Sequence, residues 1–112
     1  MIRIEFILSD SRIINFKVKG HAELAEEGKD IICAAVSIYS INTINSLIEL
    51  VGVEESLEFK ADKGDLYLKI CYESMADYQK EQVELLLRSM ELAFKSLENE
   101  YNKYLKICYK EV

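Results

Sequence analysis

Alternating apolar and polar positions predict five β-strands in this chain. In residues 1–8 every second position is apolar, and residues 12–19 repeat the pattern after the turn cluster Ser9-Asp10-Ser11, so these strands are expected to form a hairpin. A second hairpin is predicted around a connection that contains Gly64. The predicted strands are residues 1–8, 12–19, 54–61, 66–72 and 104–111.

Two longer segments have the helical period. Residues 30–51 carry apolar side chains around most of the helix, which predicts that this helix is largely buried, and Gly52 suits its C-cap. Residues 75–101 carry one apolar stripe, with Glu91 among the polar residues outside it. The order β-β-α-β-β-α-β predicts a single α+β domain over residues 1–112, a two-layer structure with two helices packed on a mainly antiparallel sheet.

Composition indicates the cellular compartment of the protein and whether it meets a membrane. The chain has 112 residues, of which 50% are hydrophobic, and no continuous apolar run reaches the roughly 18 residues that span a bilayer. Charges alternate with apolar residues at the N-terminus, which is unlike a signal peptide. The three cysteines, an odd number without close pairing, indicate free thiols in a reducing compartment. We therefore expect a cytoplasmic protein with no membrane partner.

The net charge of −6 bears on the partners of the protein. Proteins that bind nucleic acid usually carry a basic face, and the chain has no arginine-rich stretch, so no direct nucleic-acid partner is expected. An acidic surface instead fits a basic peptide by electrostatic complementarity.

A histidine and a cysteine twelve residues apart are the strongest candidates for chemistry. His21 is the only histidine and follows Gly20 at the end of a predicted strand. Asp30 suits the N-cap of the first helix, which would place Cys33 third in the helix, where the helix dipole favours the thiolate. A histidine beside such a thiol could take its proton, which is the minimum requirement for nucleophilic catalysis by cysteine.

Other interpretations of these residues are open at this point. A cysteine among Ile, Ala and Val is often a small buried hydrophobic residue, and a single histidine is often structural. The close cysteine pairs of zinc sites and redox proteins are absent, as is a glycine-rich phosphate loop, so no metal or cofactor is expected. Cys71 and Cys108 alternate with lysines in two similar strands, which predicts that both face away from the core and are inert.

The histidine and the cysteine belong to a longer motif. It reads Gly20-His21-Ala22, then Gly28 in a short loop, then Asp30-Ile31-Ile32-Cys33-Ala34-Ala35-Val36-Ser37. This motif resembles the signature of the bacterial ribosomal-processing cysteine protease family (Prp), with isoleucine at position 32 where that family usually has valine. Length and element order also fit, so the resemblance covers the whole chain.

The resemblance implies a homodimeric cysteine endopeptidase in which His21 and Cys33 form a catalytic dyad. It also implies the substrate, the N-terminal extension of a large-subunit ribosomal protein, cut after an aromatic residue in an apolar groove near Cys33. Ribosomal proteins are basic, which agrees with the acidic charge of the chain. The alternative from another class is a non-enzymatic ribosome-associated binding module in which Cys33 is merely buried.

Several residues near the dyad are candidate supporting or substrate-binding residues. Gly20 and Gly28 flank the acidic loop between the two catalytic candidates, which is either a solvated loop or a mobile cover over the site. Ser37 lies one turn after Cys33 on the same helix face. Backbone N–H groups at the helix start are candidates for oxyanion stabilisation, although a cap bond from the Cys33 N–H to Asp30 would occupy one of them. Asp30 could instead bond to the N–H of Ile32 or turn towards the histidine, or the loop could rearrange when substrate binds.

Overall fold

The computed structural model describes residues 1–20, 29–62 and 65–112, with the backbone alone described for Lys29 and Asp30. All the predicted strands and both predicted helices are present, in the predicted order. The elements are β1 (Ile2–Ser9), β2 (Arg12–Lys19), α1 (Lys29–Ser46), a π-helical turn (Leu47–Val51), a 3₁₀ turn (Glu54–Ser56), β3 (Leu57–Asp62), β4 (Asp65–Ile70), α2 (Asp77–Glu100) and β5 (Leu105–Glu111).

The strands form one mixed sheet in the order β3-β4-β2-β1-β5. Antiparallel pairing joins β1 to β2, β2 to β4 and β3 to β4, whereas β5 runs parallel to its neighbour β1. Core side chains of both helices pack on the same face of this sheet, and no helix among the described residues covers the other face, which we call the open face. The prediction of a two-layer α+β domain with a mainly antiparallel sheet is therefore confirmed.

The β1–β2 hairpin turns at the predicted polar cluster. Asp10 and Ser11 have φ angles of 50° and 67°, and a two-residue hairpin loop of the favoured kind requires such left-handed values at both positions. The Arg88 guanidinium on α2 donates a hydrogen bond to the carbonyl of Ser11. This contact ties the turn to the helix layer.

Aromatic rings fill the centre of the space between the helices and the sheet. The centroid of the Phe6 ring on β1 lies 6.2 Å from that of Phe16 and 6.3 Å from that of Phe94. The Tyr109 ring on β5 stacks on Phe6 at 5.7 Å, and Tyr39 on α1 meets Phe94 edge-on. Such ring pairs stabilise the core beyond the area that they bury, and here they connect both helices to β1.

α1 buries only one of its faces, which corrects the prediction of a largely buried helix. On the opposite face, Ile31 and Ile38 keep 70% and 67% of their surface exposed. Residues three, four and seven apart share a helix face, so the exposed residues form one continuous apolar strip, which we call the outer stripe of α1. The outer stripe consists of Ile31, Ala34, Ile38 and Ile41.

The uncovered face makes α1 unusually apolar on average. By length and composition, Ile31–Val51 is long and apolar enough to cross a membrane, although no uninterrupted apolar run reaches that length. The inward side chains of this segment, including Val36 and Leu47, belong to the core that it shares with the sheet. We therefore interpret it as a core helix with one uncovered apolar face.

The end of α1 differs slightly from the prediction. Regular α-helix stops at Ser46, and the π-helical turn carries the chain to Val51. Gly52 then closes the helical segment with a left-handed φ of 77° and donates its N–H to the carbonyl of Leu47 at 3.0 Å. The predicted role of Gly52 as a C-cap is confirmed.

α2 carries a buried carboxylate that the sequence pattern places outside the apolar stripe. Only 6% of Glu91 is exposed, so that prediction is wrong. The carboxylate accepts hydrogen bonds from the Tyr109 hydroxyl at 2.6 Å and from Arg88 at 2.9 Å. Burial alone would raise the pKa of Glu91, but these hydrogen bonds outweigh it and hold the pKa below its usual value.

Candidate active site

Cys33 occupies the border between the buried and exposed faces of α1. Its side chain is half-buried and packs against the core, between the buried residues Ile32 and Val36 of the same helix and the exposed outer stripe. Ser37 is also half-buried and lies one helical turn further along, as predicted. A thiol in this position has partial contact with solvent, which a cysteine nucleophile needs.

The start of α1 differs from the prediction in a way that changes the surroundings of the thiol. The described helix begins at Lys29, so Asp30 is a helical residue and not the N-cap. Four residues of the described helix precede Cys33, so it is at least the fifth helical residue and not the third. Because the field of the helix dipole is concentrated in the first turn, it acts on this thiol less strongly than the sequence suggests.

The same shift affects the predicted oxyanion donors. In an α-helix each N–H bonds to the carbonyl four residues earlier, so the N–H of Cys33 pairs with the carbonyl of Lys29. The unpaired N–H groups of a helix belong to its first four residues, which here precede Cys33. The backbone N–H of Cys33 is therefore engaged within the described helix and is not capped by Asp30, and the identity of the oxyanion donors stays a prediction.

Gly20 has a clear structural reason to be glycine. It directly follows β2 with a left-handed φ of 79°, and a Cβ atom built on it would lie 2.3 Å from the carbonyl oxygen of Met1. Any side chain would overlap the backbone of Met1, directly before β1. Gly20 thus fixes how closely the end of β2, directly before His21 in the sequence, approaches the N-terminus.

The remaining candidates lie outside the described residues. These are His21, Gly28 and the acidic loop between them, so the pairing of His21 with Cys33 and the covering role of the loop stay predictions. The predicted orientation of the histidine by Asp30 also stays a prediction, since it depends on a side chain that the structure does not describe.

The other two cysteines stand apart from this region, as the sequence predicts. Cys108 is in register with Glu5 of β1 and lies on the open face of the sheet, opposite the helices. Cys71 is exposed and directly follows the end of β4. They offer matched controls for experiments on Cys33.

Comparison with known proteins assigns the chain to a family. Residues 1–106 match the family model described as cysteine protease Prp. The ribosomal processing cysteine protease Prp of Bacillus subtilis is 31% identical over 98 residues, which cover 88% of this chain and 87% of the relative.

Solved structures agree with this assignment. The ribosomal processing protease Prp of S. aureus, in complex with a substrate peptide, superimposes with a TM-score of 0.83 at 25% identity over 98% of this chain and 100% of that one. The S. aureus protease with a covalently linked product peptide gives a TM-score of 0.79 at 26% identity, with the same coverage. The chain matches this family in sequence over nearly its whole length and in fold: it belongs to the cysteine protease Prp family, the cysteine peptidases of ribosomal processing.

Proposed function

We propose that this cysteine peptidase removes the N-terminal extension of a large-subunit ribosomal protein, with Cys33 as nucleophile and His21 as its base. The observation that supports the proposal most is the family match over residues 1–106, which includes both halves of the Gly20–Ser37 motif. The half-buried position of Cys33 on a helix anchored in the core is consistent with a positioned nucleophile. Cys71 is exposed, and Cys108, although also half-buried, lies on β5 and not on a helix.

The proposed reaction proceeds through an acyl-enzyme. His21 takes the proton of Cys33, and the Sγ atom attacks the scissile carbonyl carbon, which forms a C–S bond. The tetrahedral intermediate collapses as the C–N bond breaks, and the imidazolium of His21 gives its proton to the leaving amine. Water, deprotonated by His21, then attacks the thioester, and the C–S bond breaks to release the acid and restore Cys33. The reaction needs no cofactor.

A peptide-cleavage assay with three alanine variants tests the nucleophile. Cys33→Ala is expected to bind a peptide of the extension but to lose at least about a thousandfold in cleavage rate, because the attacking atom is missing. Cys71→Ala and Cys108→Ala are the matched controls and should cleave at the wild-type rate. Cleavage by purified Cys33→Ala would exclude this role, and binding without cleavage by the wild type would favour the binding module.

A double variant tests whether His21 and Cys33 act as one unit. Residues of one catalytic unit are strongly non-additive, so His21→Ala/Cys33→Ala should be no slower than Cys33→Ala alone. His21→Ala alone should lose most of the activity. If the two losses multiply, the residues contribute independently and the dyad is wrong.

We also propose that the protein works as a homodimer in the cytoplasm. The outer stripe of α1 supports the dimer, since Ile31 and Ile38 are large, neighbouring apolar residues left in solvent, and contiguous exposed apolar surface is typical of an interface. A second copy of the same stripe is a suitable partner, because a two-fold interface is self-complementary. A reducing compartment suits a reaction that depends on a free thiolate.

A further inference from the structure

The two faces of the sheet differ in charge as well as in burial. Strand residues such as Ile4, Phe16 and Leu68 point to the helices, so their neighbours in sequence occupy the open face. Cross-strand register places seven cationic and four acidic side chains there, although the chain as a whole has a net charge of −6. The cationic residues are Arg3, Lys17, Lys19, Lys60, Lys69, Lys106 and Lys110, and the acidic ones are Glu5, Glu58, Asp62 and Asp65.

The positive charges are not evenly paired with the acidic ones. Lys60 lies 3.0 Å from Asp65, and Lys69 lies 3.8 Å from Glu58, so the edge formed by β3 and β4 is close to neutral. The charge that is left over belongs to β2, β1 and β5 at the other side of the open face.

Three cationic residues stand side by side on these strands. Lys19 pairs with Arg3 across β2 and β1, and Arg3 is in register with Lys106 of β5. Neighbouring strands are about 5 Å apart, so this cationic row spans roughly 10 Å. Like charges directly opposite one another destabilise a sheet. Within residues 1–20, 29–62 and 65–112, none of the three forms an ion pair with a carboxylate, so nothing described there offsets this cost.

An aromatic residue lies next to these charges on the open face. Tyr67 of β4 is in register with Lys17 of β2, and its ring is half-buried. Lys17 and Lys19 line two adjoining shallow depressions, one shared with Tyr67 and Lys69 and the other with Arg3. Carboxylates line both as well: Glu58 and Asp65 the first, where they pair with Lys69 and Lys60, and Glu5 the second. The open face therefore combines a run of cationic residues with a ring at its floor.

We propose that the open face of the sheet binds single-stranded RNA. The cationic row and Lys17 would contact successive phosphates, and a base would stack on Tyr67, as in other sheets that bind single strands. The ring distinguishes RNA from an acidic peptide, which would need the charges but not a stacking surface. The choice of RNA among nucleic acids rests on the proposed function, since ribosomal proteins are found beside RNA.

This proposal reverses the expectation of no direct nucleic-acid partner. That expectation rests on the net charge of the whole chain, which averages the open face with the acidic remainder. The sequence shows lysines at alternating positions of the strands, which places them on one face of the sheet. That lysines of different strands lie side by side follows only from the order of the strands.

Fluorescence anisotropy with a labelled single-stranded RNA of about 12 nucleotides tests the proposal, because this length covers one binding site of a small domain. Lys19→Gln/Lys106→Gln should weaken binding by at least about tenfold near 50 mM salt, and should reduce the slope of log affinity against log salt by about 1.4, for two lost phosphate contacts. Lys80→Gln/Lys95→Gln removes the same charge from α2 and should bind RNA like the wild type.

Two further variants test the stacking contact. Tyr67→Leu should weaken RNA binding by about tenfold, and Tyr67→Phe, which keeps the ring, should bind as the wild type does. Three results would overturn the proposal. The wild type would show no saturable RNA binding, or both double lysine variants would lose the same RNA affinity. The third is poly-glutamate binding to the same lysines as tightly as RNA does.

Peptide cleavage by the same lysine variants separates this proposal from the proposed function. RNA binding is measured without peptide, and Lys19→Gln/Lys106→Gln should cleave the extension peptide at the wild-type rate. If this variant loses cleavage, the open face serves the peptide and the RNA proposal is wrong. If the wild type binds RNA through these lysines but cleaves no peptide, the proposed function fails and the RNA site stands.

Discussion

The two helices cover the same face of the sheet but present different surfaces to solvent. On α2 the large exposed apolar residues Leu85 and Leu92 are 70% and 67% exposed, and they lie two turns apart with the polar residues Arg88 and Ser89 between them. On α1 the equally exposed Ile31 and Ile38 belong to a stripe with a small or apolar residue at every turn. Isolated apolar residues are normal on a protein surface, whereas a contiguous stripe is typical of an interface.

The helices also differ in how they are attached to the sheet. α2 is held by polar contacts to β5, because the Tyr109 hydroxyl donates to Glu91 and the N–H of Ile107 donates to Glu98 at 2.7 Å. α1 contributes a continuous set of buried apolar side chains, among them Ile32 and Val36, that flank Cys33. The comparison suggests that α2 serves as scaffold and that α1 carries the surfaces used in function.

The largest stability effect is expected at the connections of α1. Gly20→Ala should lower the free energy of unfolding by roughly 2 to 4 kcal/mol, since the new Cβ would overlap the Met1 carbonyl and the φ angle is left-handed. Gly52→Ala is the matched control, because Gly52 has nearly the same φ and no atom within 4 Å of the added Cβ. It should cost about 1 kcal/mol, the conformational term alone. Equal losses in urea denaturation would exclude the close approach at Gly20.

The next largest effect is expected where α2 meets β5. Glu91→Ala should destabilise the fold by roughly 1 to 3 kcal/mol, because it leaves Arg88 and Tyr109 without their buried partner. The exposed Glu81→Ala on the same helix should change stability by less than about 0.5 kcal/mol. Peptide cleavage per folded molecule should be unchanged in both variants. A loss of cleavage in folded Glu91→Ala would contradict the assignment of α2 as scaffold.

The same carboxylate predicts a dependence of stability on pH. The pKa of Glu91 is lower in the folded state than in the unfolded chain, so its contribution is fully present above the unfolded pKa of about 4.3 and is lost as pH falls through the folded pKa. The stability difference between the wild type and Glu91→Gln should therefore be larger at neutral pH than in acid. A difference that is independent of pH in urea titrations would show that the Glu91 charge does not matter.

The smallest effect on stability, and the sharpest test of the comparison, comes from the outer faces. Ile38→Glu should leave the stability of the monomer within about 0.5 kcal/mol, because the side chain is exposed, but should dissociate the dimer. Leu92→Glu alters a residue with the same exposed fraction, 67%, on α2 and should leave the dimer intact. Sedimentation velocity distinguishes the two. A dimer that survives Ile38→Glu and is lost in Leu92→Glu would place the interface on α2.

The fold could be predicted closely from the sequence because its signals are local. Period-two alternation identifies β1 and β2, and the polar cluster at Asp10 and Ser11 marks their turn. The burial of Glu91 could not be predicted, since its partner Tyr109 is brought to it by the parallel pairing of β5, which no local pattern encodes.

The candidate site was predictable in its residues but less so in its geometry. The motif identifies Cys33 and a helix near it, and the helix is present. Its start was misplaced because Asp30 is a good cap residue locally, yet the helix already includes Lys29 and Asp30. The reason for Gly20 could not be predicted either, since it depends on a contact with Met1 across two strands.

The central claim is that Cys33 is the nucleophile, and covalent trapping tests it most directly. The probe is a peptide of the extension that ends at its aromatic residue, with a vinyl sulfone in place of the scissile bond. An activated thiolate adds to the vinyl sulfone and forms a stable adduct. Peptide mapping by mass spectrometry should find one adduct, on Cys33, with Cys71 and Cys108 unmodified and cleavage lost in proportion to labelling. An adduct on Cys71 or Cys108 that abolishes cleavage, or full cleavage by protein labelled on Cys33, would contradict the account.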